Sequence, residues 1–265
     1  MGGEVVAPSR IGAVLIGIVL VFSLVGLVYT PYDPEQIAVR ERLQPPSVAH
    51  WLGTDHLGRD VFSRLAVGGR WSILVGGVGV VVGAAVGTIL GALAGYFGRQ
   101  VDELLMRGAD GMQAFPVILV ALLAVTVLGP GSRAVLLAVG IGNIPTFMRL
   151  TRNQIVKIRT EPFVEAARAL GASERMVLSR HILPNAAPVL LVQGAVSFAG
   201  AILAEASLSY LGVGIQPPNP SWGRMLREAQ VFADLAPWSV LAPGLLIAAT
   251  VLGFNLIGDR YSQGR

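Results

Sequence analysis

Few side chains in this sequence could do chemistry, and their surroundings narrow what that chemistry would be. His50 and His56 flank Asp55, a donor set for a divalent cation, but two histidines six residues apart in a loop fix no coordination geometry of their own. Lys157 is the only lysine, and it stands between Val156 and Ile158 and not in the Gly-Lys-Ser/Thr setting of a phosphate-binding loop. The chain cannot hold ATP in that way, so any use of ATP needs another polypeptide. Cysteine is absent, which excludes disulfides and thiolate metal sites. Glu205 is an ionisable residue near the end of an apolar run, which makes it a candidate for an outer gate or a substrate path. The alternative is a glutamate hydrogen-bonded at the membrane boundary. No His, Asp, Glu or Cys constellation suits an enzyme, so the catalytic and metal-ligating sets are read as none.

Charge concentrates with helix signals in one other place, the stretch from Thr160 to Pro184. Thr160 or Glu161 is placed to cap a first helix, Pro162 suits its opening turn, and Gly171 suits a left-handed close after Leu170. Ser173 offers a second cap, and Pro184 is expected to stop or redirect the helix that follows. Phe163, Ala167 and Leu170 recur at i, i+4 and i+7, which leaves one small apolar face free to dock, with Glu161, Glu165 and Arg168 elsewhere.

The run Glu165, Ala166, Ala167, three residues to Gly171, then eleven more to Leu183 and Pro184 resembles the EAA loop of ABC-importer permeases. Arg180 to Asn185, and Gly53, Thr54, Asp55, Gly58, Arg59 and Asp60 as a GTDxxGRD signature, are similar to the dipeptide, oligopeptide and nickel subgroup. The segment LSYLGVGIQPPNPSWG resembles that subgroup's outer loop. His181 stands where the family usually has an apolar residue.

The elements that must position these residues are membrane spans. With 53% hydrophobic and 14% charged residues and a mean hydropathy of +0.65, the chain falls well below the roughly one-quarter charged content of soluble domains. It reads as an all-α polytopic membrane protein with six transmembrane helices. Residues 11–32 form the first span, read as a retained anchor because the run exceeds the apolar core of a signal peptide. A polar segment over 33–70 follows, in which Asp55 closes a turn and Asp60 caps a short helix bearing Val61, Phe62 and Leu65. Residues 71–97 make the second span, 98–113 a charged turn, 114–132 the third span, and 134–148 a short fourth containing Asn143 and Pro145. The fifth runs from about 182 to 211 and the last over 236–258. Between them a Pro-rich turn leads to a short amphipathic helix bearing Trp222, Met225, Leu226 and Phe232. Trp222 and Trp238 suit a headgroup boundary, and Trp222 joins Glu205 as a candidate for the outer gate. The chain divides into an N-terminal tail, span and outer segment over 1–70 and a five-helix core over 71–265.

Within the second span Gly79, Gly83, Gly87, Gly91 and Gly95 recur every four residues, the small-xxx-small pattern that brings helix backbones together in lipid. Each step of four turns the ridge about 40°, so its partner must cross at an angle. Twelve of the 20 basic residues fall on one side of this six-span arrangement, the side that holds the N-terminus and the Thr160–Pro184 loop. The positive-inside rule makes that side cytoplasmic, with both termini there. The net charge of +4 lacks a basic stripe with interleaved aromatics, so nucleic acid is not a partner.

The resemblance implies the type I importer permease fold in the cytoplasmic membrane of a prokaryote. It further implies a homologous permease subunit, two ATP-binding subunits carrying ATP and Mg, and an extracytoplasmic solute-binding protein. The chain itself would bind no cofactor and hydrolyse nothing. The implied cargo is a di- or oligopeptide, with nickel complexes, haem or another small solute as alternatives. An ion-driven carrier is the other class, and it calls for charges at the bilayer centre and an internal repeat, neither of which is evident.

Overall fold

The computed structural model describes residues 6–263. Helix α1 (Val6–Val28) ends just before Pro31, earlier than the expected limit at residue 32, because a proline disfavours helical backbone in the residue ahead of it. Helix α2 (Val61–Phe97) is one continuous rod of 37 residues, not a capped short helix followed by a span. Asp60 starts it by accepting from the Ser63 backbone N–H at 2.8 Å, and nothing between Leu65 and Trp71 breaks it. At 1.5 Å per residue α2 is about 55 Å long, so it overshoots a hydrocarbon layer of about 30 Å. The division drawn at residue 70 lies in the middle of this helix.

The segment expected as a charged turn is instead a 15-residue amphipathic helix, α3 (Arg99–Gln113). The expected third span shrinks to α4 (Val117–Leu128), 12 residues bounded by Pro116 and by Gly129-Pro130-Gly131. The two meet at 83°, so the third crossing is a bent pair. Helix α5 (Ser132–Ile158) is far longer than the 15 residues expected. It continues through two arginines because α3 supplies carboxylates for them: Arg152 Nε donates to Asp102 at 2.9 Å and Arg149 pairs with Asp110. Among the described residues, five helices are long and apolar enough to cross a membrane, or up to six if the bent pair is one span.

The loop after α5 carries α6 (Pro162–Ala169) and the single turn α7 (Glu174–Met176), which passes into a π-helical turn, Val177–Ile182, and then α8 (Leu183–Leu211). Pro184 therefore does not end the helix, as the sequence had suggested. The wider turn, in which Leu183 N–H reaches Leu178 O, absorbs the irregularity around a residue with no amide to donate. Helices α9 (Trp222–Ala229) and α10 (Pro237–Gln263) complete the order.

Helices α2 and α5 form the central pair. Each glycine of the repeat faces the residue sixty positions later: Gly79 meets Val139, Gly83 Asn143, Gly87 Phe147, Gly91 Thr151 and Gly95 Ile155. Numbers rise together on both helices, so the two run parallel, and the bent pair between them must carry the chain back across. The chain thus has two ends. A cap end gathers the 29–60 linker, the α4–α5 turn and α9. At the other end lie α3, α6 and, through the packing of Gly12 against Gly253, the start of α1 with the close of α10.

Candidate coupling surface

Helix α6 is closed by a complete left-handed cap. Gly171 has φ +85°, its N–H bonds Arg168 O at 2.9 Å, and Ala172 N–H reaches back to Ala167 O at 3.1 Å. Pro162 opens the helix as expected. Neither Thr160 nor Glu161 caps it through its side chain; the Thr160 hydroxyl bonds Lys157 O instead. Ser173 does cap α7, accepting from the Met176 N–H.

The helix is bolted down by one residue that the sequence reading passed over. Val164 is fully buried, packed in one cluster with Ala92, Ile155, Ile158, Val177, Ile182 and Ala186, and Leu183 borders it. That anchor turns the opposite face outward: Leu170 is 89% exposed and Phe163 44%. Glu165, Ala166 and Gly171 are exposed as well, while Ala167 and Arg168 are half-buried. The proposed docking residues therefore form one patch, except Leu183 and Pro184. Leu183 belongs to the anchoring cluster and Pro184 is exposed on α8, one π turn away. A signal for Val164 existed, since it is the apolar residue that breaks the Phe163, Ala167, Leu170 periodicity. A large side chain off the exposed ridge has to be packed against something.

Polar ties hold the loop to α2. Arg168 donates to Glu174 through Nε at 3.1 Å and Nη2 at 3.3 Å, Glu174 in turn accepts from the Tyr96 hydroxyl, and Arg159 Nη1 reaches Gly95 O. Tyr96→Phe removes one hydroxyl and leaves the ring. We expect faster hydrogen exchange at the amides of 171–182 with the global thermal midpoint unmoved, because Glu174 is exposed and the loss stays local. Unchanged exchange would show that this tie holds nothing.

The other sequence candidates lie far from this patch. Glu205 is fully buried in the cap half of α8, where the Ser209 hydroxyl donates to it at 2.7 Å and Ser72 and Ser221 lie beside it. Trp222 is also fully buried, its indole N–H donating to Leu65 O at 3.0 Å, and so does not face a headgroup layer. Both are enclosed within the chain; the Trp222 bond joins α9 to α2, while that of Glu205 stays within α8. His50 and His56 point to different partners, His50 to Asp60 at 2.9 Å and His56 onto the Phe232 ring.

The GTDxxGRD residues build the cap. Asp55 accepts from the backbone of Leu57 and Arg59 and from Arg59 Nε at 2.7 Å. Arg59, Arg64 and Arg224 then converge on Glu228 of α9 at 2.7 to 2.8 Å. Burial pushes the Glu228 carboxyl up, but the three guanidiniums outweigh it and hold it below the usual carboxylate range. A depressed folded pKa stabilises above the ordinary value near 4.5 and loses that contribution as pH falls through the folded value. We therefore expect the thermal midpoint to fall on acidification below about pH 4.5. Glu228→Gln should flatten that dependence and lower the midpoint at neutral pH, because it strands the buried Arg64, a loss of roughly 3 kcal/mol. Parallel melting curves for the two proteins across pH check it.

Residues 87–264 match the family described as binding-protein-dependent transport system inner membrane component. The chain is 42% identical over 249 residues to the dipeptide transport system permease protein DppC of Alkalihalophilus pseudofirmus, covering 94% of this chain and 82% of that one. It is 46% identical to a probable peptide ABC transporter permease of Sinorhizobium fredii (86% and 78% covered) and 43% to the glutathione transport system permease GsiD of Pectobacterium atrosepticum (86% and 76%). Among solved structures, a chain of the inward-facing MetNI methionine ABC transporter superposes with a TM-score of 0.59 at 19% identity, covering 74% of this chain and 93% of that one. An amino acid ABC transporter gives 0.57 at 16%, with 77% and 94% covered. At such identities these two speak for the fold alone, an importer permease fold that the bent third crossing and the exposed loop helix fit. A match over most of the chain, joined to relatives above 40% identity, places this protein among the binding-protein-dependent inner-membrane transport components, as a permease of the peptide-transporter branch.

Proposed function

We propose that this chain forms half of the pore of an ATP-driven importer for di- or oligopeptides, with a homologous permease as the other half. Two ATP-binding subunits, carrying ATP and Mg, sit on the cytoplasmic side, where the Thr160–Pro184 loop and both termini also lie. An extracytoplasmic solute-binding protein delivers cargo to the cap end. The chain itself hydrolyses nothing.

One observation carries this reading: a short helix fixed from behind by Val164 leaves an apolar ridge of Phe163 and Leu170 exposed on the surface of the chain. A ridge of that kind costs solubility unless a partner covers it. ATP closure between the partner subunits favours one pore conformation and hydrolysis releases it, and the loop passes the difference on because its contacts differ between the two states. The peptide cargo is supported by relatives named for dipeptide, peptide and glutathione transport.

Reconstitution in vesicles tests the assignment. Peptide uptake should stop with a non-hydrolysable ATP analogue and persist when ion gradients are collapsed. The reverse pattern would make the protein an ion-driven carrier.

A further inference from the structure

Among the buried polar atoms of the described residues that reach no protein partner are Arg64 Nη1, His56 Nδ1 and Ser239 Oγ. All three residues line the same small cavity, and they come from different parts of the chain, namely the linker, α2 and the first turn of α10. Arg64 is 1% exposed and Ser239 5%. The cavity leaves about 10 Å³ for the centre of a water-sized sphere, room for one water and no more. The carboxylates of Asp55 and Glu228 also border it.

We propose that this cavity is a binding site for a single water molecule that joins the linker, α2 and α10. The water accepts from Arg64 Nη1 and from the Ser239 hydroxyl, and it donates to His56 Nδ1 and to a bordering carboxylate. That arrangement uses both lone pairs and both protons of the water, and it satisfies each stranded atom. Size selects water over a halide, which is too large for this cavity. His56 fits the acceptor role because it is held neutral. Burial pushes its pKa down, Asp55 opposes that, and its ring lies stacked on Phe232. The residue before Ser239 supports the same joint, since the Trp238 indole N–H donates directly to Thr54 O at 3.2 Å. The start of α10 is thus tied to the linker twice, once directly and once through water.

The test is a structure of the purified transporter complex at a resolution that shows ordered waters, prepared in chloride and again in bromide. One peak within hydrogen-bonding distance of Arg64 Nη1, His56 Nδ1 and Ser239 Oγ, unchanged in bromide, is expected. A bromide peak there, or side chains turned to protein partners with no peak between them, overturns the proposal. A second measurement stands apart from the map. Ser239→Val should fill the cavity, expel the water and lower the thermal midpoint by several degrees, more than Ser239→Ala, which leaves room for it. If valine is as stable as alanine or more so, the site holds no bridging water.

Discussion

Leucine at Gly87 is expected to leave almost no folded protein in the membrane. A Cβ there would sit 2.5 Å from Ile144 O and 2.8 Å from Phe147 Cβ, and the larger side chain has nowhere to go. The backbone cannot retreat locally, because Gly83 and Gly91 are pressed against α5 on either side, with a Cβ at Gly91 reaching 2.3 Å from Met148 O. Overpacking one site commonly costs 1 to 3 kcal/mol, and here relief would require parting a seam that runs over five turns, so the loss should exceed about 3 kcal/mol. Gly200 is the control, since a Cβ there meets nothing within 4 Å. Gly200→Leu should be neutral or slightly stabilising, leucine being the better helix former by roughly 0.8 kcal/mol. Size-exclusion profiles of the solubilised fluorescent fusions compare the two. Equal recovery would mean that α2 and α5 are not held backbone to backbone.

The second large effect falls on coupling and not on folding. Leu170→Asp alters a side chain that is almost wholly exposed, so the amount of protein in the membrane should be unchanged. Solute-stimulated ATP hydrolysis by the complex should nonetheless drop at least tenfold, which is about 1.4 kcal/mol of lost docking energy. Gly171→Val reaches the same surface by a different route. Its surroundings are open, so steric crowding is not the problem; a β-branched residue at φ +85° is, at a cost on the order of 1 to 2 kcal/mol. To relieve that strain the cap must loosen and the end of α6 must tilt, carrying Leu170 with it. Wild-type stimulation in both variants would take the docking role away from this helix.

How much of this was legible in the sequence depended on the range of the interaction. The glycine repeat, the left-handed cap at Gly171 and the Asp60 cap are local patterns, and the structure has all three. The full length of α5 did not follow. Arg149 and Arg152 look like the end of a span until Asp110 and Asp102 arrive from a helix about forty to fifty residues earlier. For the same reason α3 read as a turn, since four of its five charges are paired across to α5 or along its own axis. Glu205 looked peripheral because its distance along α8 is visible in sequence, whereas Ser72 and the α9 entry that enclose it are not. The docking patch was read from periodicity, and its anchor Val164 was missed because Ile155, Ile182 and Ala92 lie outside the loop.

The constant sixty-residue offset between α2 and α5 limits how this half of the pore can move. With backbone laid against backbone, neither helix can slip along the other by less than a full step of four residues, about 6 Å, without driving a carbonyl into a Cα. Gating strokes smaller than that must swing the two as a single lever. One residue inserted inside either rod would rotate everything beyond it by about 100° and unzip the seam from that point on.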